Sequence, residues 1–357
     1  MLGEPKSQFS LTRAALSTCV AQKQLPIRTI TQRRALAGAL SLGLTLLLAG
    51  LLGLPMMTAQ AVGARKMRSD LMALWDMTKI RQTPLDVEVA SSHVEDGVRV
   101  EEIYFSSEMT ERGPHRIFCG VARPEHPAKS TPVLLEMHGG GGHGSAERAA
   151  WMAKNTGAFA ISLDWGGAIP PERKHFTRWA THADSQGLPT LGPEAGPHRV
   201  VIAARRALDY AAGQPNVDMS TVVIYGGSWG SYHSVIIAGV DPRVTSLIAI
   251  AGAGSWRDSY SICAYGVQLM APVQREEWLR TYDPAAYAPY THADSTFIMY
   301  SNDGFFFYDA VQRNFRALPA PKRLITTPNN DHSIGGHPEA VGTWPAGPAS
   351  AAVCALP

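Results

Sequence analysis

Thr221-Val222-Val223-Ile224-Tyr225-Gly226-Gly227-Ser228-Trp229-Gly230 is the stretch whose reading decides the fold. A run of β-forming residues leads into Gly-x-Ser-x-Gly, and a helical pattern begins at Trp229. A strand, a sharp turn and a helix in that order hold a serine in a strained conformation with its hydroxyl presented. Side chains at the flanking positions would collide with the neighbouring strand and helix, which is why they are glycines. The pentapeptide alone is a weak pattern. Its strand and helix context favours Ser228 as a nucleophile over a Gly/Ser turn without chemistry.

Upstream, the apolar strand at residues 132–137 ends in His138-Gly139-Gly140-Gly141-Gly142. In lipases and esterases a His-Gly-Gly-Gly loop at this place turns backbone N–H groups toward the oxygen that becomes negative in a tetrahedral intermediate. Gly139 and Gly140 would supply one donor and the Trp229 N–H a second. A phosphate-cradling loop is the alternative, but no Lys-Ser/Thr follows. His138 itself reads as structural.

A triad then needs a carboxylate and a histidine downstream. Asp303 closes the apolar strand Ser295-Thr296-Phe297-Ile298-Met299-Tyr300 in a turn followed by Gly304 and three phenylalanines. That place favours it over its rivals Asp294 and Asp309. His332, in Asn329-Asn330-Asp331-His332-Ser333, sits in a loop after the last strand, with His337 as its rival.

The remaining pattern supplies a frame. Residues 98–105 alternate as a strand, and 116–122 read as its antiparallel partner. Further strands are expected at 159–164, 244–251, 296–300 and 323–326, with helices at 146–155, 200–212, from 229, and at 309–317. Alternating strands and helices predict an α/β fold, a mostly parallel central sheet flanked by helices, with two antiparallel strands leading in. Residues 254–290, mixed and aromatic, read as a small cap insertion. The organisation expected is a targeting segment over 1–61, a lead-in over 62–97, a catalytic domain over 98–340 and an irregular tail over 341–357.

Over residues 98–337 the chain resembles α/β-hydrolases of the acetyl xylan esterase, dienelactone-hydrolase-like and prolyl-oligopeptidase-like groups. The resemblance rests on HGGGG, GGSWGS, SNDGFF and NDHS in the same order. It implies a serine esterase with Ser228, Asp303 and His332 as its triad. Two departures stand out. The Arg-Gly-Gln motif of one carbohydrate esterase group is replaced by Arg112-Gly113-Pro114 in a turn, and the nucleophile is serine where a dienelactone hydrolase has cysteine. The tail also lacks the closing helix that normally follows the histidine.

Residues 35–64 carry no charge, Arg33-Arg34 precede them, and Ala59-Gln60-Ala61 places small residues where a signal peptidase cuts. The expectation is export to the periplasm or medium, with Thr31-Gln32-Arg33-Arg34 resembling a twin-arginine signal. The alternative is an uncleaved N-terminal anchor, since the 20-residue apolar core is long enough to span a bilayer. Beyond residue 61 the chain holds 26 basic and 29 acidic residues, and it has no basic run, so a nucleic-acid partner is not expected. Cys19, Cys119, Cys263 and Cys354 have no metal spacing and read as buried or free thiols, with one disulfide as the alternative. No cofactor is expected, because ester hydrolysis needs only a triad, an oxyanion hole and water. The partner expected is a small-molecule or carbohydrate ester. The competing readings are a serine peptidase of the same fold, a non-catalytic binding module, and cleavage of lactones or haloesters.

Overall fold

The computed structural model describes residues 66–127, 130–166, 173–180, 190–257, 259–319 and 321–332. The targeting segment, the tail, Cys19, Cys354 and His337 lie outside these residues. Among the described residues one sheet contains strands β1 (Glu88–Glu95), β2 (Val98–Thr110), β3 (Gly113–Pro124), β4 (Thr131–Met137), β5 (Phe159–Leu163), β6 (Val217–Gly227), β7 (Ser246–Ile250), β8 (Asp294–Tyr300) and β9 (Lys322–Thr327). Their order is β1-β2-β3-β5-β4-β6-β7-β8-β9. The first three are antiparallel to their neighbours, β3 is antiparallel to β5, and every pairing from β5 through β9 is parallel. This is the mostly parallel, helix-flanked sheet of an α/β-hydrolase.

The antiparallel lead-in has three strands rather than the two expected. β1 falls inside the stretch read as a lead-in, so the sheet starts ten residues before position 98. Its side chains are exposed on both faces, as an edge strand permits, so it shows no hydrophobic alternation to read. Central strands β4, β5 and β7 are buried almost throughout because helices cover both faces.

The helices are α1 (Ser69–Leu74), α2 (Ala146–Thr156), α3 (Gly196–Ala212), α4 (Trp229–Val240), α5 (Tyr265–Gln268), α6 (Pro272–Tyr282) and α7 (Tyr308–Ala317). On one face Ala149 and Met152 of α2 pack on Leu134, Ala160, Val223 and Ile248. On the other, α1, α3, α4, α6 and α7 close over Leu135, Ile161, Ile224, Leu247 and Phe297. α3 begins four residues before the expected 200, with Pro197 in its first turn, where a missing N–H costs nothing. Arg199, in that turn, is buried with its guanidinium 5.1 Å from the Trp179 ring. α1 is docked by Trp75, whose indole N–H donates to the Tyr287 hydroxyl at 2.8 Å and whose carbonyl accepts from Arg205 at 2.6 Å.

Residues 254–290 fill the crossover from β7 to β8. Trp256 and Trp278 stack at 5.2 Å and are buried with Tyr282, so these rings are core. Tyr260 and Tyr265 are exposed. Cys119 and Cys263 are buried free thiols, and burial pushes Cys263 up to about 12. No helix among the described residues is long and apolar enough to cross a membrane, and no described cluster of His, Cys, Asp and Glu has the makings of a metal site.

The parallel half of the sheet is what assembles a site. β4, β6, β8 and β9 run the same way, so the segments after their C-terminal ends emerge along one rim. His138, Ser228, Asp303 and His332 follow those four ends.

Candidate active site

Ser228 joins β6 to α4 with φ 56° and ψ −123°, a left-handed conformation that costs a non-glycine residue on the order of 1–3 kcal/mol. Its surroundings hold it there. The Ser228 N–H donates to Ile250 O at 2.8 Å, and its carbonyl accepts from the Ser231 hydroxyl at 2.7 Å and the Tyr232 N–H at 3.2 Å. The flanking glycines are sterically required. A Cβ on Gly230 would lie 1.8 Å from Met137 O, and one on Gly226 would lie 2.4 Å from the Gly230 carbonyl carbon.

His332 reaches the serine from the loop after β9. Its Nε2 is 2.9 Å from Ser228 Oγ, and its Nδ1 is 2.9 Å from Asp303 Oδ2. The other Asp303 oxygen accepts from the Phe305 and Phe306 N–H groups at 2.8 and 2.9 Å. The carboxylate is therefore held on both sides, and its burial leaves the imidazole as its charged or polar outlet. With Asp303 accepting at Nδ1, the proton of a neutral imidazole sits there and Nε2 is free to accept from the serine hydroxyl. Phe305 stacks on the imidazole with ring centroids 4.5 Å apart, and Phe306 stands at 5.9 Å.

The glycine loop lies against the same serine. A Cβ on Gly139 would meet Gly227 O at 3.2 Å and Ser228 Cβ at 3.4 Å, so a side chain there would require the elbow to give by a few tenths of an ångström. The loop folds back on itself through the Gly142 N–H, which donates to Gly139 O at 3.1 Å. Gly140 lies in this turn, and Trp229 opens α4, where an N–H has no acceptor within the helix. His138 is structural, as expected. Its ring stacks on Trp165 at 4.6 Å, its Nδ1–H donates to Gly139 O at 2.8 Å, and its Nε2 accepts from the Trp165 N–H at 3.3 Å. The Trp165 indole N–H donates to His138 O at 3.1 Å. Burial pushes His138 down to about 4, which keeps that acceptor lone pair at neutral pH.

Trp165 reads in the sequence only as the residue after a buried strand, and its contacts with the glycine loop come from the fold. Its neighbour Asp164 likewise carries no local signal of its contacts. This buried carboxylate accepts from the Gly144 and Thr177 N–H groups at 3.2 and 2.6 Å and pairs with Arg173, tying the loop after the glycines to the loop after β5. Nothing in local spacing signals these contacts. Of the rival acids, Asp294 begins β8 and pairs with Arg323 at 2.7 Å, and Asp309 pairs with Arg313 within α7 at 3.1 Å. Neither is the partner of His332.

Residues 52–252 match the family model described as acetyl xylan esterase, more than half of the chain. The chain belongs to the acetyl xylan esterase family. That span of the acetyl xylan esterase family member contains the glycine loop and the Ser228 elbow. Residues 259–345, which contain Asp303 and His332, match a second model, that of PhoPQ-activated pathogenicity-related protein. The acetyl esterase Axe7A of Xylanibacter ruminicola is 29% identical over 192 residues, 50% of this chain and 42% of that relative. The match thus spans less than half of the curated relative's length. Among solved structures, the acetyl xylan esterase of Paenibacillus sp. R4 superposes with a TM-score of 0.61 at 18% identity over 75% of this chain and 90% of that one. Acetyl xylan esterase 1 of Thermoanaerobacterium sp. JW/SL YS485 does so with 0.64 at 16% identity over 75% and 89%. These likenesses show the fold. The family is one of carboxylic-ester hydrolases.

Proposed function

We propose that this chain is an exported serine esterase that removes acetyl groups from carbohydrate esters through an acyl-enzyme on Ser228. The observation that carries the reading is the hydrogen-bonded line from Asp303 through His332 to Ser228 Oγ, 2.9 Å at each step, beside a glycine loop. His332 Nε2 takes the hydroxyl proton as Ser228 Oγ attacks the ester carbonyl. Asp303 keeps the imidazole in the tautomer that accepts and stabilises the imidazolium that forms. The oxyanion meets the N–H groups of Trp229 and of the Gly139–Gly140 turn, each such donor supplying about 3 kcal/mol. Collapse expels the alcohol, which leaves with the proton from His332. A water, deprotonated by His332, then attacks the acyl carbon and releases the acid.

Acetyl as the acyl group and carbohydrate as the alcohol are drawn from the family match and from the Xylanibacter ruminicola relative. Export is drawn from the apolar run ending at Ala59-Gln60-Ala61; an uncleaved run would tether the same catalytic unit to a membrane.

Hydrolysis of 4-nitrophenyl acetate and acetate release from acetylated xylan test the reading, with the Ser228→Ala variant beside the natural chain. The expected outcome is turnover of both substrates and a fall in kcat of ~10³-fold or more in the variant. A Ser228→Ala protein that keeps its activity would show that the elbow is not the nucleophile.

A further inference from the structure

The proposed triad and oxyanion loop account for the acyl half of an ester and leave the alcohol half without a protein contact. We infer that Phe305 is the platform on which the alcohol part of the substrate packs, and that it favours ring-shaped alcohols such as a sugar over short alkyl ones. The inference rests on the esterase reading above and adds a specificity residue to it.

Three observations meet at this side chain. The first is position. A leaving oxygen protonated by His332 comes within about 3 Å of Nε2, so the carbons attached to it lie against the flank of the imidazole. That flank includes the Phe305 ring, 4.5 Å from the imidazole centroid and inclined by 30°. The second is exposure. Phe305 is 39% exposed whereas the next residue, Phe306, is 2% exposed and belongs to the core. Phe307 is exposed to the same degree, at 38%, but only Phe305 combines an accessible ring with a stacking contact to His332, so it is the apolar surface that can line a substrate pocket beside the base. The third is rigidity. The Phe305 N–H is bound by the same Asp303 carboxylate that orients His332, and Gly304 O accepts from the Ile262 N–H at 3.4 Å. The platform is thus fixed relative to the base, and the 259–265 stretch, with Tyr260 and Ile262 exposed at 72% and 64%, runs beside it. The C–H face of a pyranose fits such a flat apolar surface, whereas an ethyl group covers little of it.

Two measurements test this. In the natural protein, added alcohols compete with water for the acyl-enzyme: the alcohol oxygen attacks the acyl carbon, its proton passes to His332, and Ser228 Oγ leaves with a proton returned by His332. Methyl β-xyloside is expected to capture the acetyl group several-fold better than ethanol at equal concentration. In Phe305→Leu, the ratio of kcat/KM for acetylated methyl xyloside to that for ethyl acetate is expected to fall by about 5- to 10-fold, and in Phe305→Tyr it is expected to stay near the natural value. Equal capture of the two alcohols, or a ratio in Phe305→Leu within about twofold of the natural one, would overturn the platform. Labelling of Ser228 by a fluorophosphonate separates the two failures. An unlabelled natural protein sinks the esterase reading and the platform with it, and a labelled protein with an unchanged ratio sinks the platform alone.

Discussion

Asp303 shows how much one side chain is asked to do at this site. One oxygen is held by two backbone N–H groups from its own turn, and the other faces His332 Nδ1. Asparagine at this position keeps the size but turns an N–H donor toward either the backbone or the imidazole. The imidazole then carries its proton on the wrong nitrogen, and Nε2 no longer accepts from Ser228. Asp303→Asn is expected to leave the melting temperature within a few degrees while lowering kcat for 4-nitrophenyl acetate by ~10³- to 10⁴-fold. A variant within tenfold of the natural rate would remove Asp303 from the triad. His138 is the contrasting case, a histidine beside the same serine loop whose hydrogen bonds face Gly139 and Trp165 rather than Ser228.

The elbow is a contact between elements. β4 ends at Met137, and its carbonyl occupies the space that any side chain at position 230 would need. The strand β6, the first turn of α4 and the start of the glycine loop therefore approach one another over bare backbone, and this closeness sets the glycine turn against Ser228. Gly230→Ala places a methyl carbon 1.8 Å from a backbone oxygen, which no rotamer relieves. The expected result is loss of activity with a destabilisation of a few kcal/mol, read as a lower denaturation midpoint in urea. An active, fully stable Gly230→Ala protein would mean that the elbow and the glycine loop are not packed in this way.

At the scale of the whole molecule, burial of titratable groups sets how the fold responds to acid. Desolvation pushes His115, His138 and His198 down to about 4 and His233 to about 3, from an ordinary 6.5. Near pH 5 the unfolded chain holds protons on these four that the native state does not. Burial acts the other way on Glu108, raised to about 7, and on Asp283, raised to about 6, which hold protons in the native state that the unfolded chain has lost. Four histidines against two carboxyls leave the unfolded state with an excess of about two protons. Stability therefore falls as pH drops from 6.5 toward 4, on the order of 2–3 kcal/mol per pH unit near pH 5. The melting temperature at pH 4.5 is expected to lie several degrees or more below that at pH 7 in calorimetry. An unchanged melting temperature over this range would show that these histidines are not buried as neutral groups.

Much of this protein was legible in its sequence wherever the determinant is local. The β-run into Gly226-Gly227-Ser228-Trp229-Gly230 marks its own turn by local spacing, although the contact that requires Gly230 is with Met137 of β4, 93 positions away. The periods of the strands and helices mark a mostly parallel sheet, and parallel strands necessarily bring the loops after them to one rim, which is where the candidates Ser228, Asp303 and His332 stand. What only the tertiary structure decided depends on groups distant in sequence. β1 pairs with β2 along an exposed edge and shows no apolar alternation, so its pairing was invisible until both strands were seen together. Trp165 locks His138 from 27 positions away, and Phe305 stands over His332 from the far side of α7 and β9. Stacking and hydrogen bonding between such residues depend on distances of a few ångströms that sequence separation does not encode. The positions of the candidates Ser228, Asp303 and His332 follow from local pattern, and the contacts that join and surround them come only with the packing of the chain.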